Sequence, residues 1–162
     1  MIRNLSKLLL IACLSLFIAA CAFKKPEKSE AVSLIINAAP IKLSAEGFLY
    51  ESKNLTGLEA YSLAKAIFAL KITDKICLNQ ACYDKKSFNE RFFKVSHYDD
   101  FLSDILSFKP IYHARNLKKT KCGFEQNLNA INYEIFYRIC NEELKFRDFK
   151  NQILIKIKKQ GR

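Results

Sequence analysis

The sequence contains few of the residues from which most enzyme sites are built. Of its 162 residues, only two are histidine, four are glycine and none is tryptophan. His97 and His113 lack a metal-binding or catalytic-triad partner at a recognisable spacing, and no G-x-S-x-G, H-E-x-x-H or glycine-rich phosphate loop occurs. These absences argue against serine and zinc hydrolases and against nucleotide-binding enzymes. We therefore expect a non-enzymatic protein that uses no metal and no cofactor.

The apolar run at the amino terminus is too short to cross a bilayer. It extends over twelve residues, from Leu8 to Ala19, whereas a membrane-spanning helix needs about 20. Arg3 and Lys7 precede the run and the small residue Ala20 follows it, which is the order of a secretory signal peptide. This order predicts that residues 1–20 are a signal peptide and are removed.

The predicted signal ends at a cysteine. Ile18-Ala19-Ala20-Cys21 resembles the lipobox of bacterial lipoproteins. The resemblance implies cleavage between Ala20 and Cys21, a diacylglycerol on the Cys21 thiol and acylation of the new amino terminus, and several acyl chains together anchor a protein firmly. Ala22, rather than aspartate, follows Cys21, which in enteric bacteria indicates the outer membrane. The expected location is therefore the outer membrane, with the domain facing the periplasm. An ordinary cleaved signal with an accidental cysteine is the alternative.

Charge and composition describe the rest of the chain. Without residues 1–20 it keeps 25 of the 27 basic residues and all 16 acidic residues, a net charge of +9. Such a charge favours lipopolysaccharide, phospholipid head groups or acidic polymers, although a solvated lysine-rich surface explains it equally well. Nucleic acid is not an expected partner of an exported lipoprotein. The Lys, Glu and Pro residues after Cys21 predict a lipidated tether over 21–31 and a single domain over 32–162.

Four cysteines remain after Cys13 leaves with the signal and Cys21 takes the lipid. An even number in an oxidising compartment predicts two disulfides, and three pairings are possible. A two-residue turn at Asn79-Gln80 would place Cys77 opposite Cys82, where a disulfide fits, whereas C-x4-C without a nearby histidine is a weak zinc motif. The remaining pair is Cys122 and Cys140. A regular register would place these two cysteines on opposite faces of the sheet, so they bond only if one of them lies at a bulge or a strand end.

The middle of the chain predicts strands followed by two helices. Alternation of apolar and polar residues predicts a strand over 41–47, and residues 54–57 predict a turn. Residues 60–72 fit either a strand or a helix, and we prefer the strand. Ser87 opens a capping box, and Ser96 can cap the next helix. That second helix carries one apolar stripe, and Pro110 limits its end. The stripe consists of Tyr98, Phe101, Leu102, Ile105 and Leu106.

The last forty residues predict an antiparallel meander with a testable register. Turns at Asn141-Glu142 and Lys150-Asn151 align strand 131–139 with the two strands after it, and a fourth strand over 123–128 precedes them. Two apolar rows result, Ile139-Leu144-Ile157 and Tyr137-Phe146-Ile155, and a one-residue slip would destroy both. The opposite face is wet and mostly basic. Its members are Glu134, Arg138, Lys145, Arg147, Lys156 and Lys158.

Together these elements predict an α+β fold. We expect a mostly antiparallel, curved sheet, open like a half-barrel, with one or two helices packed on one face. Seven tyrosines and thirteen phenylalanines concentrate on the helix stripe and the sheet faces. They form either a filled aromatic core or an apolar cavity suited to acyl chains. The candidate cavity or core residues are Phe101, Leu102, Ile105, Tyr137, Phe146 and Ile155.

This order of elements resembles outer-membrane lipoproteins of the LolB type. The resemblance rests on the lipobox, the tether, the strands, the helix that ends in Ile105-Leu106-Ser107-Phe108-Lys109-Pro110-Ile111, and the meander. It implies an open antiparallel half-barrel covered by helices that accepts lipoproteins from a periplasmic carrier. That family is rich in tryptophan and glycine, and this chain departs from it in both. The family also inserts lipoproteins through an exposed apolar loop, for which Leu55 or Leu58 is the nearest candidate.

Two functions follow as hypotheses. The first is an envelope lipoprotein that binds acyl chains or lipidated clients during outer-membrane assembly. The second is a structural or accessory module that docks on an envelope protein complex, lipopolysaccharide or peptidoglycan. A cavity would favour the first, and a filled core would favour the second.

Overall fold

The computed structural model describes residues 27–39 and 41–161. The predicted signal peptide, the predicted cleavage and lipidation site at Ala20 and Cys21, and most of the predicted tether lie outside the described residues. The described chain forms eleven strands, two α-helices and one 3-10 turn at Tyr112–Ala114. The strands are β1 (Lys28–Ala38), β2 (Ile41–Ser52), β3 (Leu55–Ser62), β4 (Lys65–Ile72), β5 (Lys75–Leu78), β6 (Ala81–Asp84), β7 (Leu117–Thr120), β8 (Gly123–Asn129), β9 (Glu134–Cys140), β10 (Glu143–Asp148) and β11 (Ile153–Lys159). The helices are α1 (Lys85–Phe93) and α2 (Phe101–Leu106).

All eleven strands belong to one antiparallel sheet. Their order is β6-β5-β4-β3-β2-β1-β11-β10-β9-β8-β7. Two meanders, β1 to β6 and β7 to β11, are therefore joined side by side where β1 pairs with β11. The two edge strands do not pair with each other, so the curved sheet stays open. Both helices lie in the connection between the meanders. This is the α+β fold that the sequence predicts.

The tether prediction extends too far into the domain. Lys28 to Ala31 are the first residues of β1, and Lys28 pairs with Glu51 of β2. Their charges suggested a solvated linker, but Glu30 forms ion pairs with Lys28 and with Lys159 of β11, at 3.1 and 2.6 Å. Burial alone would raise the pKa of Glu30, yet the two lysines outweigh it and hold that pKa below its ordinary value. Charged residues here reinforce the junction between β1 and β11.

The predicted register of the carboxyl-terminal meander is confirmed. Leu144 pairs with both Ile139 and Ile157, and Phe146 pairs with both Tyr137 and Ile155. These residues are buried beneath the helices. Strand β9 begins at Glu134 rather than at 131, and Ile131 is 90 % exposed in the loop before it. The predicted fourth strand is β8, in which Leu128 is buried and Phe124 is half-buried.

The helices begin at other residues than predicted. Helix α1 begins at Lys85, and the Asp84 carboxylate caps it by accepting a hydrogen bond from the Ser87 amide at 2.9 Å. A carboxylate is a good N-terminal cap because it accepts a hydrogen bond from a free amide and also interacts with the positive end of the helix dipole. Asp84 therefore caps this helix in place of the predicted Ser87. Helix α2 begins only at Phe101, and Ser96 is exposed. The apolar stripe is nevertheless confirmed, because its four residues in α2 are buried and Tyr98 is half-buried.

The region 54–72 contains one turn more than predicted. Leu55–Gly57 already belong to β3, and the preceding turn lies at Lys53-Asn54. The strand predicted over 60–72 is interrupted by a turn at Leu63-Ala64, where both residues have positive φ. Alternation continues on both sides of this turn, so the sequence pattern conceals it.

Both predicted disulfides are present. Cys77 and Cys82 face each other across the β5–β6 hairpin, with Leu78 opposite Ala81. Cys122 bonds to Cys140, and it does so from the residue just before β8. Cys122 thus lies at a strand end, which is one of the two arrangements expected to let it reach Cys140.

Candidate functional site

The six candidate cavity residues lie in a packed core. Phe101, Leu102, Ile105, Tyr137, Phe146 and Ile155 are all at most 2 % exposed. The Phe146 ring lies 5.8 Å from the Phe101 ring and 6.3 Å from the Tyr137 ring, centroid to centroid. The Tyr137 hydroxyl donates a hydrogen bond to the Lys109 carbonyl at 3.0 Å. Aromatic packing and this hydrogen bond fix the helices on the inner face of the sheet.

The space that remains under the helices is small. A cavity of about 10 Å³ lies among apolar side chains of the sheet and of both helices, including Leu58, Phe88 and Ile155. That is about the size of a single water molecule. The core in this conformation therefore holds no acyl chain at this place, and the filled-core interpretation of the aromatic residues is the correct one here.

The outer face of the sheet carries a row of like charges. Arg138 of β9 pairs with Lys145 of β10, and Lys145 pairs with Lys156 of β11. Because neighbouring strands are about 4.8 Å apart, three cations are close together in one line. We call these three residues the basic row. Glu125 faces Arg138 from β8, and Glu143 forms an ion pair with Lys156 at 3.3 Å, so acids adjoin the row but none interrupts it.

More cations flank the basic row. Arg147 and Lys158 lie on the same face in the adjoining rows, and both are exposed. The outward positions of these residues are as predicted. Like charges directly opposite each other destabilise a sheet. We therefore expect this arrangement to lower the stability of the fold and a bound anion to relieve the repulsion.

A groove extends from the basic row onto the central strands. It encloses about 340 Å³ between Lys156 and Lys158 on one side and Ser33 and Ser44 on the other. Ile35, which pairs with both Lys156 and Ser44, is 40 % exposed in it. The groove thus combines two cations, two hydroxyls and an apolar side chain. Glu46 and Glu143 also line it.

An aromatic cluster continues the outer face beyond this groove. Phe48 is 47 % exposed and meets the edge of Tyr61 at 6.0 Å between ring centroids. Tyr50 and Tyr61 donate hydrogen bonds to Glu59, at 3.1 and 2.6 Å. Burial, together with the Glu59 charge, raises the pKa of Tyr50. This cluster was not among the predicted site residues, because it depends on the register of β2 against β3.

His97 is buried in the core. Its Nδ1 lies 2.6 Å from the Tyr112 hydroxyl, and its ring stacks on Phe101. Burial lowers the pKa of His97 to about 4, and the Asp148 charge opposes this shift only partly. Among residues 27–39 and 41–161, no three His, Cys, Asp or Glu side chains are grouped to hold a metal ion. His97 has a structural role, because it holds the turn that contains Tyr112.

Neither candidate for an exposed apolar loop is exposed as expected. Leu58 is fully buried in β3, and Leu55 is half-buried. Leu63, at the β3–β4 turn, is instead completely exposed. The sequence does not reveal this turn, because apolar and polar residues alternate through it as in one long strand.

One further cleft has a mixed electrostatic character. It encloses about 980 Å³ near the start of β1, and an ion pair of 2.7 Å between Lys85 and Asp100 lies in its wall. Four lysines and five acidic residues line it. Because charges of both signs alternate there, the cleft does not favour a ligand of one charge.

Comparison with known proteins leaves the chain without a family assignment. No protein-family model matches the sequence, and no curated protein is significantly similar to it. In the part of the chain that the structure describes, neither helix is long and apolar enough to cross a membrane.

Proposed function

We propose that this protein is a non-enzymatic lipoprotein of the bacterial envelope that docks through the outer face of its sheet. Cys21 carries the lipid anchor, the anchor lies in the outer membrane, and the domain faces the periplasm. The partner is an anionic component of the envelope. The observation that carries the proposal is the basic row of Arg138, Lys145 and Lys156 on three adjacent strands.

The charge pattern supports docking better than it supports a merely solvated surface. A solvated face has no need of three cations directly opposite one another, because alternating signs would be more stable. The filled core also agrees with a docking module. The lipobox and the positive charge of the mature chain support a location at anionic envelope surfaces.

The test compares the full-length protein with two charge-reversal variants. K145E changes the centre of the basic row, and K65E changes the net charge equally at an exposed lysine of β4. Binding is measured to lipopolysaccharide, to isolated peptidoglycan and, by chemical cross-linking, to envelope proteins. We expect the wild type and K65E to bind at least one of the three, and K145E to bind it much more weakly. Equal binding by K145E, or a wild type that binds none of the three and does not dock on anionic phospholipid either, would contradict the proposal.

Binding of acyl chains or lipidated clients is the second candidate function. It is favoured by strain in the segment beside the helices, where Tyr112, His113 and Ala114 all have positive φ. Such strain is typical of segments that move, and movement there would uncover the apolar inner face of the sheet. Native mass spectrometry of residues 22–162, purified from the periplasm without detergent, tests this. A bound phospholipid or lipidated peptide would support it, and a bare protein mass would count against it.

A further inference from the structure

The outer face offers more than charge, because apolar side chains lie beside its cations. From β10 to β2, the central strands present Lys145, Lys156, Lys158, Ile35 and Phe48 outward. Ile35 and Phe48 are 40 % and 47 % exposed although they lie within strands. Cations beside exposed apolar and aromatic side chains are typical of surfaces that rest at the head-group level of a membrane.

The position of the chain's amino-terminal end agrees with such a surface. Strand β1 begins at Lys28, and Phe48 lies close to that end of the sheet because it pairs with Ala31. Only five residues lie between Cys21 and Glu27. Even fully extended, the six steps from Cys21 to Glu27 span about 20 Å. A lipid on Cys21 would therefore keep this end of the sheet next to the leaflet that holds the anchor.

We infer that the outer face rests on the anionic lipid leaflet in which Cys21 is anchored. This inference rests on the proposed docking function and names its partner as the phosphate groups of membrane lipids. Lys156, Lys158 and the hydroxyls of Ser33 and Ser44 line one groove, and each of these groups can donate a hydrogen bond to phosphate. Ile35 and Phe48 enter the interface between head groups and acyl chains.

Tethering makes a weak surface sufficient. A short tether converts docking into an intramolecular step with a high effective concentration. Each cation near an anionic leaflet strengthens binding by about fivefold. Glu46 and Glu143 in the groove oppose this attraction, as do Glu125 and Glu134 further along the same face. The inference requires that the cations, in combination with the tether, outweigh these acids.

The absence of tryptophan gives a clean experiment. A single tryptophan is introduced as F48W, on the outer face, or as I131W, in an exposed loop at the other end of the sheet. Each full-length acylated protein is placed in vesicles of phosphatidylethanolamine and phosphatidylglycerol that carry bromine on their acyl chains. Vesicles of brominated phosphatidylcholine alone are the neutral control. Bromine quenches tryptophan only where the ring reaches the lipid.

The inference predicts a specific pattern of quenching. The tryptophan of F48W is quenched in the anionic vesicles, and this quenching is lost in phosphatidylcholine vesicles. Quenching is also lost at about 1 M salt, because a Debye length of about 3 Å screens the attraction between the cations and the lipid. Adding K145E lowers the ratio of docked to undocked protein by about 25-fold, because replacing a cation by an anion is two charge steps of about fivefold each. The tryptophan of I131W stays unquenched in both kinds of vesicle and at both salt concentrations.

Two outcomes separate failure of the inference from failure of the docking function. If Trp at 48 stays unquenched in anionic vesicles while K145E still weakens binding to lipopolysaccharide, peptidoglycan or an envelope protein, the face docks but lipid is not its partner. If K145E changes neither quenching nor any of those interactions, both the inference and the proposed function are wrong.

Discussion

At the scale of single residues, the sequence predicts side-chain direction better than side-chain environment. Arg138, Lys145 and Lys156 follow directly from the register of the meander, because period two fixes which face each residue joins. His97 does not, since its burial depends on Phe101 below it and on Tyr112 from a distant turn. A local pattern contains no information about such contacts.

Lys145, at the centre of the basic row, should weaken the fold. In K145E a carboxylate would stand between Arg138 and Lys156 and would replace two repulsions by two attractions. We expect the free energy of unfolding to rise by about 0.5–1 kcal/mol, slightly offset by loss of the Lys145 contact with the Phe136 ring. Urea denaturation measures the change, and K65E is the control. A fall in stability would mean that the basic row is not repulsive.

His97 should make stability depend on pH. Its pKa is about 4 in the folded protein against an ordinary value of 6.5, so the unfolded chain binds the proton more readily. The stabilising contribution is complete above pH 6.5 and is lost as pH falls towards 4. The loss should reach about 3 kcal/mol at most.

Denaturant unfolding at several pH values, compared with H97F, measures this loss. The variant should lack the corresponding part of the pH dependence, whatever its stability at neutral pH. H113Q, at an exposed histidine, should keep the wild-type slope. If the unfolding free energy of H97F depended on pH as steeply as that of the wild type, the buried imidazole would not be the group that causes the pH dependence.

At the scale of elements, the sequence predicts β-hairpins well, but it predicts helix caps and interruptions of strands less well. The turn at Asn79-Gln80 and the Cys77–Cys82 pair follow from local spacing. The turn at Leu63-Ala64 is hidden because neither residue is a usual turn former. The strained segment 112–114 is also invisible in the sequence, because the contacts that hold it come from other elements.

Gln126 should be the main support of that segment. It is completely buried in β8, and its side chain accepts a hydrogen bond from the Ile111 amide and donates to the Ile111 and Arg115 carbonyls. Q126A would leave these backbone groups unpaired, so we expect a loss of at least about 2 kcal/mol in unfolding free energy. N127A, the outward-facing neighbour, should cost less than about 0.5 kcal/mol. Thermal or urea unfolding of both variants checks the difference, and equal losses would exclude this role for Gln126.

At the scale of the whole molecule, pairing between distant strands is what the sequence cannot supply. Each meander is built from local hairpins, but β1 pairs with β11 across more than one hundred residues. The residues of β1 in this pairing, Val32 to Asn37, all lie after the predicted tether, but no local pattern links them to the last strand. The basic half of the outer face is therefore predictable from the register of the carboxyl-terminal meander, whereas its apolar half, Ile35 and Phe48, comes to lie beside it only when the two meanders are joined.

The central claim is that the outer face, and not the helix side, meets the envelope. Photo-cross-linking of the full-length acylated protein in bacterial membranes tests it, with a photoreactive residue at Asn37 beside the basic row or at Glu90 on α1, both exposed. We predict adducts with lipid or with an envelope component from position 37, their loss in K145E, and none from position 90. Adducts from position 90 alone, or adducts from position 37 that K145E leaves unchanged, would contradict the account.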